Sequence, residues 1–531
     1  MDRAPAARGE TIAARLASLG RPVGLALLLA GTLLHARAGY FQDDLSGHAR
    51  GSDDAYISYR YAQNLARGHG LVFNPGERVE GYSNLLYVLL LAPFCRVAGP
   101  DTLYPISVAL NLVFAAGAWA LFARLAAGRL PPARANTAGL LLGLCPMIWL
   151  WTASGMETPL FLLLQIALWI MVDRAARGGG ASAAMLVAVV VLSVLARADG
   201  FVVPALAVIY LALAGRTRVA LVGAGSLVAT LAALVGWRLW YYGYPLPNTY
   251  YAKVSGPVGE RLLDGTLQLL GIVLHAGILP HLAALLVAAA ATVKTAAPPG
   301  SPRVRFEVLL GLGGLAYWLY VGGDVFAERM LLILFPIGIL LLLDPTLFPL
   351  PERSAVVVAG LAAFFQLLPL AVDTRFGYTL DRYDRWVTLG RHLAQDRYAG
   401  RLLAVDAAGK IPFYSGLPVV DMLGLNDAHI AHLRAGYFEA GHNKYDPDYV
   451  LARRPDLIAD WIDPRLDLRF GLTREKYEAG GFRLDFLVFT RKERPSDAVV
   501  DVTHLDQPSI VLLIRRGYRY ALLSRRVDGA R

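Results

Sequence analysis

Long apolar runs recur from residue 22 to residue 371 and then stop, leaving about 160 residues of ordinary soluble composition. In hydrocarbon, backbone N–H and C=O groups have no water to bond, and a helix satisfies them within one segment. With a mean hydropathy of +0.46, the chain is therefore expected to be a polytopic α-helical membrane protein over residues 1–371. Residues 372–531 are expected to form a soluble extracytoplasmic α/β domain, with RLLAVDAA, PDLIADWI, FRLDFLVFTR and PSIVLLIRR as strands.

The positive-inside rule sets the expected number of spans. Arg3, Arg8, Arg15 and Arg21 precede the first apolar run, 22–35, which acts as a signal anchor or as a signal peptide with an A-x-A site at Ala36–Ala38. Either way, the chain emerges from this run on the outer side of the membrane. If residues 85–98 also crossed, the basic loops holding Arg124, Arg129, Arg134, Arg174, Arg177, Arg216, Arg218, Lys294, Arg303 and Arg305 would all face outward. That run has about 14 residues against the ~20 needed to span. Laid along the outer interface instead, it restores every sign. About eleven spans result, with the N-terminus cytoplasmic, the C-terminal domain periplasmic, and long outward loops at 42–102 and 241–275. The formal charge of +10 is thereby explained by orientation, not by nucleic-acid binding. Cys95 and Cys145 offer no metal spacing and read as free thiols.

Inside the first outward loop, residues 52–84 (SDDAYISYRYAQNLARGHGLVFNPGERVEGYSN) are polar, aromatic and charged. A helix starting at Asp53 places Asp53, Tyr56, Ile57, Arg60 and Asn64 on one face, with Asp54, Ser58, Tyr61 and Leu65 on another stripe. Ser52 as N-cap with two acids in the first turn would explain SDD without any chemistry.

This loop resembles the first extracytoplasmic loop of GT-C membrane glycosyltransferases, in particular the group containing the terminal β-(1→2)-arabinofuranosyltransferases. SGMETPLF (154–161), RADG (197–200), PLPNTYYAK (245–253), GGDVFAER (322–329) and VDAAGKIPFYSG…DMLGLND (405–427) carry the resemblance onward in order. The resemblance implies a GT-C-like fold in a bacterial inner membrane. It also implies transfer of a sugar, a pentofuranose such as arabinofuranose among the options, from a polyprenyl-phosphate donor to a cell-envelope glycan. Independently of it, no cytoplasmic loop exceeds about 15 residues and no P-loop or strand-embedded GxGxxG is present. A nucleotide sugar thus has no evident site, and a lipid phosphate is the obvious carrier.

An inverting displacement needs a carboxylate to take the acceptor proton and cations to hold the departing phosphate. Asp53 is the expected base, with Asp54 as its alternative or partner. Arg60, Arg197, Arg238, Lys253 and Arg329 are candidate phosphate ligands, each also readable as an ion pair or interface anchor. Tyr56, Asn64, Glu80, Tyr82, Asn84, Glu157, Asp199, Asn248 and Asp324 are candidate sugar-binding residues, and some of the acids could take a divalent ion, although no spacing signature for a metal exists. Asp421, Asn426 and His442 are the candidates in the C-terminal region. Two other classes stay open: a non-catalytic envelope or motility assembly factor on the same scaffold, and a transporter, which would show repeated halves and mid-span charges.

Overall fold

The computed structural model describes residues 19–41, 49–180, 182–254, 256–294, 305–435 and 443–526. His442, the basic residues Arg3, Arg8 and Arg15, and Arg303 lie outside the described residues. The chain divides into two compact units.

The first unit comprises Met1–Arg37, Val108–Leu234 and Arg261–Gly377, and its regular elements among the described residues are all helices. Among described residues, four helices are long and apolar enough to cross a membrane: Pro100–Ala127, Thr158–Ala176, Thr217–Tyr241 and Glu352–Val372. A fifth is obtained if Pro132–Gly143 and Pro146–Ala153, bent by 47°, count as one span. The bend falls before Pro146, which has no N–H to continue the ladder and whose ring opposes the preceding turn. Several expected spans are shorter helices, such as Ala183–Ala196, Val202–Leu213 and Phe306–Val321. The expected span at 329–343 is a nine-residue helix, Leu334–Leu342, after a 3-10 turn.

Small residues let these helices approach closely. A Cβ on Gly143 would lie 1.9 Å from the Gly24 carbonyl oxygen, and one on Gly311 would lie 2.8 Å from a Leu285 methyl. Arg129 pairs with Glu307 at 2.9 Å and with Asp173, and Arg305 pairs with Asp344 at 2.5 Å. Basic loop ends of this unit are thus tied together by shared carboxylates.

The second unit comprises Ala38–Ser107, Val235–Glu260 and Tyr378–Arg531. Its sheet runs β2-β1-β3-β6-β4-β5, from β1 (Leu403–Val405), β2 (Val419–Asp421), β3 (Leu457–Trp461), β4 (Phe482–Val488), β5 (Val499–Asp501) and β6 (Tyr520–Arg525). β1 pairs in parallel with β2 and β3, and the other pairings are antiparallel. Ala404, Ile458, Leu487, Ala521 and Leu523 fill the core beneath. Three of the four expected strands form. The fourth, PSIVLLIRR, is instead the helix Gln507–Arg516: Asp506 caps it by accepting from the Ser509 N–H, Pro508 sits in its first turn, and Gly517 ends it at φ 115°. Its apolar run is a helical stripe that buries Ile510 and Ile514.

Four helices of this unit carry the site: α1 (Asp53–Ala66), α2 (Asn248–Lys253), α3 (Lys410–Ser415) and α4 (Ala428–Ala431). Helix Leu85–Leu91, within the run expected at the interface, has seven residues. At 1.5 Å per residue it covers about 10 Å, far short of the ~30 Å hydrocarbon core.

Candidate active site

The helix expected over the polar loop forms at Asp53, but Ser52 makes no side-chain capping bond. Asp53 reaches instead to the loop before α3. Its two carboxylate oxygens accept the backbone N–H groups of Gly409 and Lys410 at 3.0 and 2.8 Å. The Gly409 Cα lies so close to α1 that an added Cβ would sit 2.0 Å from the Asp53 carbonyl oxygen. Lys410, fully buried, turns its ammonium to the carbonyls of Ala49 and Gly51 and to Asp384 at 2.8 Å. Burial pushes the Asp53 carboxyl up to about 6; the Lys410 charge and N–H oppose this, while Asp54 and Asp384 add to it. Burial also lowers the Lys410 ammonium, against the pull of Asp384 and Asp53.

The remaining loop candidates face inward as well. Arg60 donates to the carbonyls of Phe73, Pro412 and Leu417 and to the Asn74 side chain, and burial pulls it down to about 10. Asn64 holds the carbonyls of Val72 and Phe73, Tyr56 donates to the Arg50 carbonyl, and Asn84 bonds Ser58. Tyr82 meets Tyr242 hydroxyl to hydroxyl at 3.1 Å. Glu80 accepts both arms of the Arg238 fork at 2.8 and 3.0 Å; burial raises its carboxyl to about 6 against that pairing. These side chains build the loop.

Asp54 differs. Its side chain is 26% exposed and faces the Lys253 ammonium, also 26% exposed, at 3.6 Å. Lys253 ends α2, whose first residue Asn248 donates to the carbonyls of Gly424, Leu425 and Asp427. Asp421 organises that turn by accepting from the Leu423 and Asn426 N–H groups and from the Asn426 amide, and burial raises it to about 6. Asn426 in turn accepts from Tyr61.

The other candidates fall in the first unit, where the motif loops meet one another. Arg197 pairs with Glu157 at 3.1 Å and Asp199 at 2.8 Å, and Arg329 pairs with Asp324 at 2.7 Å and approaches the Met156 sulfur. Glu328, absent from the sequence-derived set, accepts from Trp151 and Arg375. The candidates therefore divide between two units: the Asp53–Asp54–Lys253 group with the C-terminal turn residues, and the Glu157–Arg197–Asp199 and Asp324–Arg329 pairs. Lys410, Gly409 and Asp384 were also missed. The first two sit in the VDAAGK stretch, but a lysine after a glycine carries no local signal of burial. Among described residues, no three His, Cys, Asp or Glu side chains are placed to hold a metal ion.

A model for a domain of unknown function, DUF8728, matches residues 377–521. The terminal β-(1→2)-arabinofuranosyltransferase of Mycobacterium tuberculosis is 28% identical over 340 residues, 55% of this chain. That match spans 53% of the relative, so the likeness covers about half of either protein. In structure, the chain is similar to the arabinofuranosyltransferase AftD from mycobacteria, with a TM-score of 0.50 and 15% identity, over 97% of this chain and 40% of that one. It is also similar to the apo oligosaccharyltransferase of Archaeoglobus fulgidus, with a TM-score of 0.51 and 13% identity, over 91% of this chain and 75% of that one. At such identities the solved structures speak to architecture alone, and the architecture this chain shares with them is the GT-C fold.

Proposed function

We propose that this chain is a membrane glycosyltransferase. It moves a sugar, arabinofuranose being favoured by the relatives' names, from a polyprenyl-phosphate donor to a hydroxyl of a cell-envelope glycan on the outer face of a bacterial inner membrane. The observation that carries this reading is the accessible pair formed by Asp54 of the polar loop and Lys253 at the end of α2, in a chain with a GT-C fold. In the proposed step, the acceptor oxygen attacks the anomeric carbon as the bond to phosphate breaks, with inversion. The acceptor proton passes to Asp54, and polyprenyl phosphate departs with its charge met by Lys253.

Asp54, not Asp53, is the proposed base, because both oxygens of Asp53 are held by backbone N–H groups in a buried place. Asp53 is given the task of fixing the start of α1. Arg238 remains a proposed donor ligand only through exchange of its present partner, Glu80. Arg60, with its donors on carbonyls, is assigned to the loop's structure.

The test is transfer by the purified full chain in detergent, with synthetic polyprenyl-phosphate arabinofuranose and no nucleotide sugar. Product that appears only when a nucleotide sugar is supplied would sink the reading.

A further inference from the structure

Resting on that reading, we propose that the second unit carries an acceptor subsite: an aromatic platform beside Lys253 that receives a sugar ring of the glycan. Three rings form it. The His432 imidazole lies 4.5 Å from the Tyr244 ring and 4.3 Å from the Tyr251 ring, tilted by 31° to each, and Tyr244 is 6.0 Å from Tyr251. Tyr244 and His432 are exposed, and Tyr251 is half-buried. Three residues before His432, His429 stacks on Tyr449 at 4.0 Å and meets Asp446 at 3.0 Å.

The platform is built rather than incidental. Lys444, itself buried, donates its ammonium to the carbonyls of Tyr251 and Ala431, joining α2 to α4. Asn248 makes the second tie, from the start of α2 to the carbonyls before α4. The His432 Nδ1 bonds the Ala428 carbonyl, which orients the ring and directs Nε2 away from the backbone. Aromatic faces meet the C–H faces of sugars, while carboxylates and imidazoles at the edge bond hydroxyls. Two exposed rings and a half-buried one, with Asp446 paired to His429 of α4, fit a neutral, hydroxylated ligand better than a lipid tail. A phosphate would oppose Asp446.

Position supplies the link to chemistry. Tyr251 precedes Lys253 by two residues in α2, about 3 Å along the helix axis. Residues two apart on a helix point about 200° apart, so α2 carries Tyr251 and Lys253 on different sides and joins the platform to the Asp54–Lys253 pair through one short helix.

The experiment uses the full chain in detergent with a soluble arabinofuranosyl oligosaccharide as probe. Tyr244→Ala and His432→Ala remove exposed rings at little risk to folding. With polyprenyl-phosphate arabinofuranose as donor, each is expected to raise the KM for the oligosaccharide about tenfold, leaving the donor KM and kcat at saturating acceptor near wild type. Tyr244→Phe should restore most of the affinity. Direct binding of the oligosaccharide without donor, followed by saturation-transfer NMR, separates this idea from the reaction itself. Saturable binding by wild type that weakens in both variants supports the platform even if no transfer is seen. Unchanged acceptor KM and unchanged binding in both variants overturn it while leaving glycosyl transfer standing. Absence of any oligosaccharide binding by wild type overturns it as well.

Discussion

Exchanging Asp53 and Asp54 for asparagine, one at a time, separates a structural acid from a reacting one. In Asp53→Asn, one carboxylate oxygen becomes an NH2 aimed at a backbone N–H, either Gly409 at 3.0 Å or Lys410 at 2.8 Å. A hydrogen bond to a charged acceptor, worth about 1.5–3 kcal/mol, is lost, and a buried donor is left facing a donor at about 1–3 kcal/mol. Release of a buried charge, whose carboxyl is pushed from 3.8 to about 6, returns about 3 kcal/mol, so a net loss of about 0–3 kcal/mol is expected. In a unit of about 250 residues this is a fall in Tm of roughly 5 °C. Asp54→Asn removes only a partly exposed contact at 3.6 Å and should cost ~0–1 kcal/mol. Its turnover should nevertheless fall by roughly 10²-fold or more, because the acceptor proton has lost its destination. The assay pairs a thermal melt of the detergent-solubilised protein with transfer to a soluble acceptor below the melt. A stable, inactive Asp53→Asn beside a stable, active Asp54→Asn would refute the assignment and return the base to Asp53.

The same geometry carries other expectations. Gly409→Ala puts a methyl 2.0 Å from the Asp53 carbonyl oxygen, so it should destabilise the second unit at least as much as Asp53→Asn; an unchanged melt would contradict the close approach. The Asp53 carboxyl titrates near 6 when folded and near 3.8 otherwise, so its contribution to stability is fullest below about 4 and is lost as pH rises through about 6. The gap in Tm between wild type and Asp53→Asn should therefore widen as pH falls from about 7 to about 4. A gap that narrows would show the carboxylate stabilised rather than penalised by its site. For topology, an impermeant thiol reagent on intact spheroplasts should label cysteines placed at 130–134 poorly and those on the surface of 378–526 well. The reverse pattern would invert the orientation.

Much of the architecture is written locally. Apolar runs announce membrane helices because a helix shields its own backbone in lipid, and the helix within the short run 85–98, Leu85–Leu91, has too few residues to cross. The polar loop's helix begins at Asp53 as its spacing predicts, and Asp54 and Lys253 both lie in stretches marked by the resemblance. PSIVLLIRR shows the limit: a short apolar run fits a strand or a helix equally, and the Asp506 cap and the Gly517 exit decide.

What tertiary structure alone decided is which acid is accessible and which cations are already engaged. Adjacent aspartates look alike in a sequence, but on a helix they point about 100° apart. One meets the Gly409–Lys410 backbone some 350 residues away, and the other meets Lys253. The same holds for Arg60, legible as a phosphate ligand until the carbonyls of Pro412 and Leu417 close around it. Burial and long-range backbone partners are sums over the whole fold, and no local spacing encodes them.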